Sequence, residues 1–153
     1  MKKLTTLLLA GVMVMSLVAC SKGEGGNNGG DSTTTSGDAP VSPVYTVDVE
    51  TLDPNVYPDD YPLIAIEDFE AAFEELAEGI YEGTLDGYQD IVDIFGVDGA
   101  YYENCDLVHN GQLYKYYGWY ADSGVSVFVT FKSDGDNLKC YAYTGNGIIP
   151  KRS

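Results

Sequence analysis

Three cysteines, one histidine and 24 carboxylates are the side chains of this chain best equipped for chemistry. Cys105 and His109 form the only thiol–imidazole combination close in sequence. The stretch around them, "NCDLVHNGQLYKYYGWY", reads as a hairpin, so the two side chains share one face of a strand. At the usual strand rise they are about 13 Å apart, too far for a base to activate a nucleophile. The acidic run "SDGDNLKCY" lacks the ligand spacing and terminal glutamate of a calcium loop, and it is explained as a turn. No glycine-rich phosphate loop follows a strand. Carboxylates are so abundant that a pair of them carries no information. No catalytic residue, cofactor or metal ligand is assigned, and the chain reads as a non-enzyme.

Cys20 has a different setting. The chain begins "MKKLTTLLLAGVMVMSLVAC", with Lys2 and Lys3 ahead of an apolar run from Leu7 to Ala19. That is the pattern of an export signal, and it falls short of the ~20 apolar residues a transmembrane helix needs. The ending "LVAC" resembles the signal of bacterial lipoproteins. The resemblance implies cleavage before Cys20 and attachment of diacylglycerol to its thiol. Two acyl chains would contribute a gross insertion energy on the order of 20 kcal/mol at about 0.8 kcal/mol per methylene. The expected location is extracytoplasmic, anchored by lipid to the cell membrane, or to an outer membrane where one exists.

Residues 20–43 follow as a tether. The segment "SKGEGGNNGGDSTTTSGDAPVSP" has no aromatic residue and cannot bury enough apolar surface to offset ordering. Residues 44–153 have the length of one domain. Its lead-in, 44–66, contains Pro54, Pro58 and Pro62, and is expected to be irregular, with "VYTVDV" as a short edge strand. Phe69, Phe73, Leu76 and Ile80 recur at helical spacing, as do Tyr88, Ile91, Val92 and Phe95. Gly83 turns the chain between the two helices, Thr84 or Asp86 caps the second, and Gly96 ends it.

After Gly99 the period becomes two. Asn110–Gly111 is a strong signal for a type I′ hairpin turn. Centring the loop there sets His109 against Gln112, Val108 against Leu113 and Asp106 against Lys115. "ADSG" and "SDGDN" make the next two turns. The expected class is α+β, with two N-terminal helices packed on one face of a four-stranded antiparallel meander.

The faces then follow from alternation. Val125, Val127, Val129 and Phe131 point to the helices, as do Leu138, Cys140 and Ala142. The Asp106–Lys115 ion pair argues for the outer face. That places Tyr102, Tyr117, Trp119, Phe128, Tyr141 and Tyr143 on the outer face as candidate partner-binding residues, with Tyr101, Cys105, Leu107, Tyr114, Tyr116 and Tyr120 inward. Tyr and Trp are enriched at interfaces because they bury area and keep a polar handle. The lead-in is the other possible cover for those rings. An exported chain invites a Cys105–Cys140 disulfide. Three strand spacings separate the two by roughly 14 Å, however, so both are expected to be free thiols on the helix-facing side.

The order helix, helix, four strands resembles one repeat of the β-lactamase-inhibitor-protein-like fold, to which the SmpA/OmlA lipoproteins are related. The resemblance rests on "TLDGYQDIVDIFG", "YGW" and "VSVFVTF" and spans residues 84–143. It implies protein binding through exposed sheet aromatics, with Tyr117 and Trp119 as the residues carried over. The inhibitor has two such repeats and this chain has one.

Without the signal the chain has 6 basic and 24 acidic residues, net −18. Eighteen acids and no lysine or arginine lie between Asp48 and Asp106. Such a surface repels nucleic acid and anionic lipid. The expected function is a lipid-anchored module that binds an envelope protein through its sheet. The alternatives are a cell-wall glycan binder using the same rings, and a structural envelope protein whose partners meet the acidic helices.

Overall fold

The computed structural model describes residues 42–151. The signal, Cys20 and nearly all of the tether lie outside the described residues. The domain is α+β, with two helices and a mixed six-stranded sheet. In chain order the elements are β1 (Tyr45–Val47), α1 (Ile66–Glu82), α2 (Tyr88–Phe95), β2 (Ala100–Tyr102), β3 (Leu107–His109), β4 (Gln112–Tyr120), β5 (Ser126–Asp134) and β6 (Asn137–Asn146). The sheet order is β1-β2-β4-β5-β6, and β3 also pairs with β4. No described helix is long and apolar enough to cross a membrane.

The helices form where the apolar period requires. Phe69, Phe73 and Leu76 of α1 and Ile91 of α2 are fully buried against one face of the sheet. Gly83 and Gly96 close the two helices in the left-handed region, at φ 70° and 72°, where a side chain would be strained. The start of α2 differs from expectation. Gly87 is the N-cap, and Asp90 reaches back to accept the N–H groups of Asp86 and Gly87 at 2.8 and 3.0 Å. Thr84 instead turns to the end of α1, donating to the carbonyl of Gly79 at 3.3 Å.

Four strands in a simple antiparallel meander are not what forms. A 3-10 turn at Glu103–Cys105 breaks the first long strand into β2 and β3. The lead-in strand β1 then joins β2 in parallel, Tyr45 opposite Ala100 and Val47 opposite Tyr102. The Asn110–Gly111 turn takes positive φ at both residues, 51° and 79°, and the register is the expected one.

Candidate functional site

The sheet has two covered faces, and the second cover decides where a site can be. On the first face, α1 and α2 pack on Tyr101, Tyr117, Trp119, Val127, Val129, Phe131 and Leu138. On the outer face, the lead-in crosses the sheet and buries Tyr102, Tyr120 and Phe128 together with Val47, Tyr61 and Ala100. The phenol hydroxyls of Tyr102 and Tyr120 touch one another, and both reach the carbonyl of Val56. Tyr102 also lies 3.0 Å from the carbonyl of Asp53. At the far end, Ile64 donates to the carbonyl of Tyr120 and accepts from Asp122, a one-residue bridge that pins the strap. Tyr57 and Tyr61 lay their rings on Tyr120, with centroids 4.8 and 5.3 Å away. Gly118 makes this possible, since a Cβ there would collide with the ring of Tyr120.

The sequence-predicted residues therefore divide. Tyr117 and Trp119 do not lie on the outer face. Trp119 is fully buried under the helices, stacked on Phe95 at 5.5 Å, with its Nε1 donating to the carbonyl of Val97 at 3.0 Å. The ion pair used to orient β4 is present, Lys115 Nζ lying 3.9 Å from Asp106. It sits on the helix-facing side, however, beyond the reach of the helices, with the ammonium 4.8 Å from the Tyr101 ring centroid. An ion pair needs solvent, and the rim of the inner face supplies it. Every residue of β4 consequently takes the opposite face from the one expected. Tyr102 and Phe128 do lie on the outer face, but the strap seals them. Tyr143 turns inward and meets Phe73 edge-on at 5.6 Å. The cause is a β-bulge: Thr130 pairs with Ala142 and Phe131 with Cys140, so Tyr141 is the extra residue and the faces exchange after it.

Tyr141 alone among the expected residues is both outward and open, with 53 % of its surface exposed. It does not stand alone there. Leu107 pairs with Tyr114, Tyr114 with Lys132, and Lys132 with Lys139. These four side chains make one rung across β3, β4, β5 and β6 on the outer face, beyond the end of the strap. Tyr116 occupies the next rung. Tyr114 packs on Tyr141 with centroids 5.4 Å apart, and the Lys132 ammonium stands 4.1 Å from the Tyr141 ring centroid. Leu107 is half exposed, and Lys139 is exposed. Sequence reasoning assigned Tyr114, Tyr116 and Leu107 to the interior. The signal that could have found them was the pairing of Lys132 with Lys139, two charges on one rung that cannot face a core.

The remaining chemistry-bearing groups are spoken for. Cys105 and Cys140 are free thiols, as expected, but they do not share a face: Cys105 packs with the strap and Cys140 with the helix-facing core. Cys105 Sγ lies 3.5 Å from the Val49 carbonyl. Burial, with Asp90 second, pushes the Cys140 thiol up to about 11, and burial with Asp106 also raises Cys105. Neither is a ready nucleophile near neutral pH. An open groove of about 610 Å³ beside α2 is lined by Asp86, Gln89, Asp90, Asp93, Asn137 and Lys139. Among the described residues no group of three or more His, Cys, Asp or Glu is placed to hold a metal. His109 stands at the exposed hairpin, 3.1 Å from the side-chain nitrogen of Asn110. No family model matches the chain, and neither a curated protein nor a solved structure matches it.

Proposed function

We propose that this chain is a lipid-anchored extracytoplasmic module that recognises another protein through the open end of its outer sheet face. One observation carries the reading. The strap cluster takes in the aromatic residues at one end of that face, with Tyr116 packed at its edge, while Leu107, Tyr114 and Tyr141 lie beyond it at the other end, beside two lysines. Tyrosine rings on a rigid sheet bury area on contact at small entropic cost. Glycan binding is less favoured, because Lys132 already occupies one face of the Tyr141 ring, and a sugar stacks on a free ring face. No catalytic step is proposed.

The anchor is tested at Cys20. In a bacterial host the wild-type protein is expected to enter the detergent phase of a detergent extraction, and Cys20→Ala to leave it or to retain its signal. Wild type in the aqueous phase would sink the anchor. Recognition is tested with Tyr114→Ala/Tyr141→Ala. This pair is expected to lose envelope partners recovered by wild type while its unfolding midpoint moves less than for a core ring, since Tyr141 is half exposed and Tyr114 only partly buried. Equal recovery of the same partners by both proteins would refute the surface.

A further inference from the structure

The open rung has a polarity of its own, and it narrows the partner. At the β3 end it is apolar, with Leu107 and then the Tyr114 ring. At the β6 end it is cationic, with Lys132 directly opposite Lys139. Like charges placed opposite one another across a sheet destabilise it. Among the described residues neither lysine has a carboxylate within ion-pair distance; the pairs there are Lys115–Asp106 and Lys151–Glu70. In a chain of net −16 that carries 24 acids, two adjacent lysines without a partner are unusual. The contact of the Lys132 ammonium with the ring of Tyr141 orients it and supplies no carboxylate.

We infer that this rung takes an acidic, extended segment of the partner protein, with carboxylates on Lys132 and Lys139 and an aliphatic side chain on Leu107 and Tyr114. The inference rests on the protein-binding reading above and deepens it. Three strand spacings span roughly 14 Å, the length of four to five extended residues. A polyanionic glycan would satisfy the lysines, but its hydroxyls find no partner at Leu107; a peptide supplies both chemistries. Lys139 also borders the groove lined by Asp86, Asp90 and Asp93, whose charge opposes an incoming anion. Lys132 is therefore the stronger anchor of the two.

The test uses the full mature chain in nonionic detergent and fluorescein-labelled peptides of alternating Glu and Leu, and of alternating Lys and Leu, with oligogalacturonate as competitor. The Glu peptide is expected to bind with an affinity that falls as salt rises. Lys132→Gln/Lys139→Gln is expected to weaken it about tenfold, about 1.4 kcal/mol, and Lys132→Gln alone to cost more than Lys139→Gln. Circular dichroism of each variant confirms the fold. No binding of the Glu peptide, equal binding by the folded double variant, or tighter binding of oligogalacturonate than of the Glu peptide would each overturn the inference. A partner recovered from the envelope that is lost with Tyr114→Ala/Tyr141→Ala but kept by Lys132→Gln/Lys139→Gln would overturn the acidic segment and leave protein recognition standing.

Discussion

Trp119→Ala is expected to cost about 3–5 kcal/mol of stability, the range for removing a large aromatic side chain from a packed core. Trp119 is fully buried and sits where the two helices meet the sheet, against Phe95, Tyr88 and Tyr117. Gly99 is pressed against its ring so closely that a Cβ there would lie 2.7 Å from Trp119 Cη2, so little backbone is free to collapse into the void. The truncation also removes the donor that satisfies the Val97 carbonyl. Domains of this size hold about 5–15 kcal/mol in total, so the variant approaches the unfolding threshold. Urea unfolding followed by tryptophan-independent circular dichroism measures the loss. A change below about 1 kcal/mol would mean that Trp119 faces solvent and that the assignment of faces on β4 is inverted.

The second large effect belongs to the strap. Tyr120→Ala removes a ring with 1 % of its surface exposed, onto which Tyr57 and Tyr61 pack and whose hydroxyl meets Tyr102 and the Val56 carbonyl. The expected loss is again about 3–5 kcal/mol, together with faster amide exchange across residues 45–63 than across α1. Tyr120→Phe keeps the packing and removes only the hydroxyl, at a cost of about 1 kcal/mol. Burial of Tyr102 also sets an alkaline limit. Burial pushes the Tyr102 phenol up from the ordinary tyrosine range to about 12, so the unfolded chain releases this proton first. The stability it contributes is complete below about pH 10 and is lost as pH rises from 10 to 12. Unchanged exchange in the strap of Tyr120→Ala would show that the lead-in is held by β1 and Ile64 alone.

What could be read in the sequence was what is decided locally. The two helices, their glycine stops and the Asn110–Gly111 register depend on neighbours a few residues apart, and each formed as its period and turn chemistry required. The sheet faces depend on longer-range events. The 3-10 turn at Glu103–Cys105 interrupts the alternation of the strand, and the Asp106–Lys115 pair settles on the wet rim of the inner face. The bulge at Tyr141 has no glycine or proline to announce it, yet it reverses every face beyond it. The role of the lead-in was hardest to read. β1 pairs with a strand some 55 residues further on, Tyr45 with Ala100, and no local pattern encodes that contact. Three prolines mark the segment as irregular, and its carbonyls at Asp53 and Val56 are what the buried tyrosines hold.

The candidate site moved for the same reasons. A tyrosine-rich sheet was legible from composition, and so was the possibility that the lead-in covers it. Which tyrosines stay uncovered depended on where the strap ends and on which face β4 presents. Of the six residues first placed on that surface, only Tyr141 is both outward and open, and the rung of Leu107, Tyr114, Lys132 and Lys139 takes the place of the rest.

The proposed contact is at this open end of the outer face and not at the acidic helices. Site-specific photo-crosslinking in intact cells tests it most directly, with p-benzoylphenylalanine introduced in place of Tyr141, of Tyr114 and, as the helix control, of Tyr81, which is 91 % exposed on α1. Discrete protein adducts are expected from positions 141 and 114 and none from position 81. Adducts from position 81 alone, or from none of the three, would contradict it.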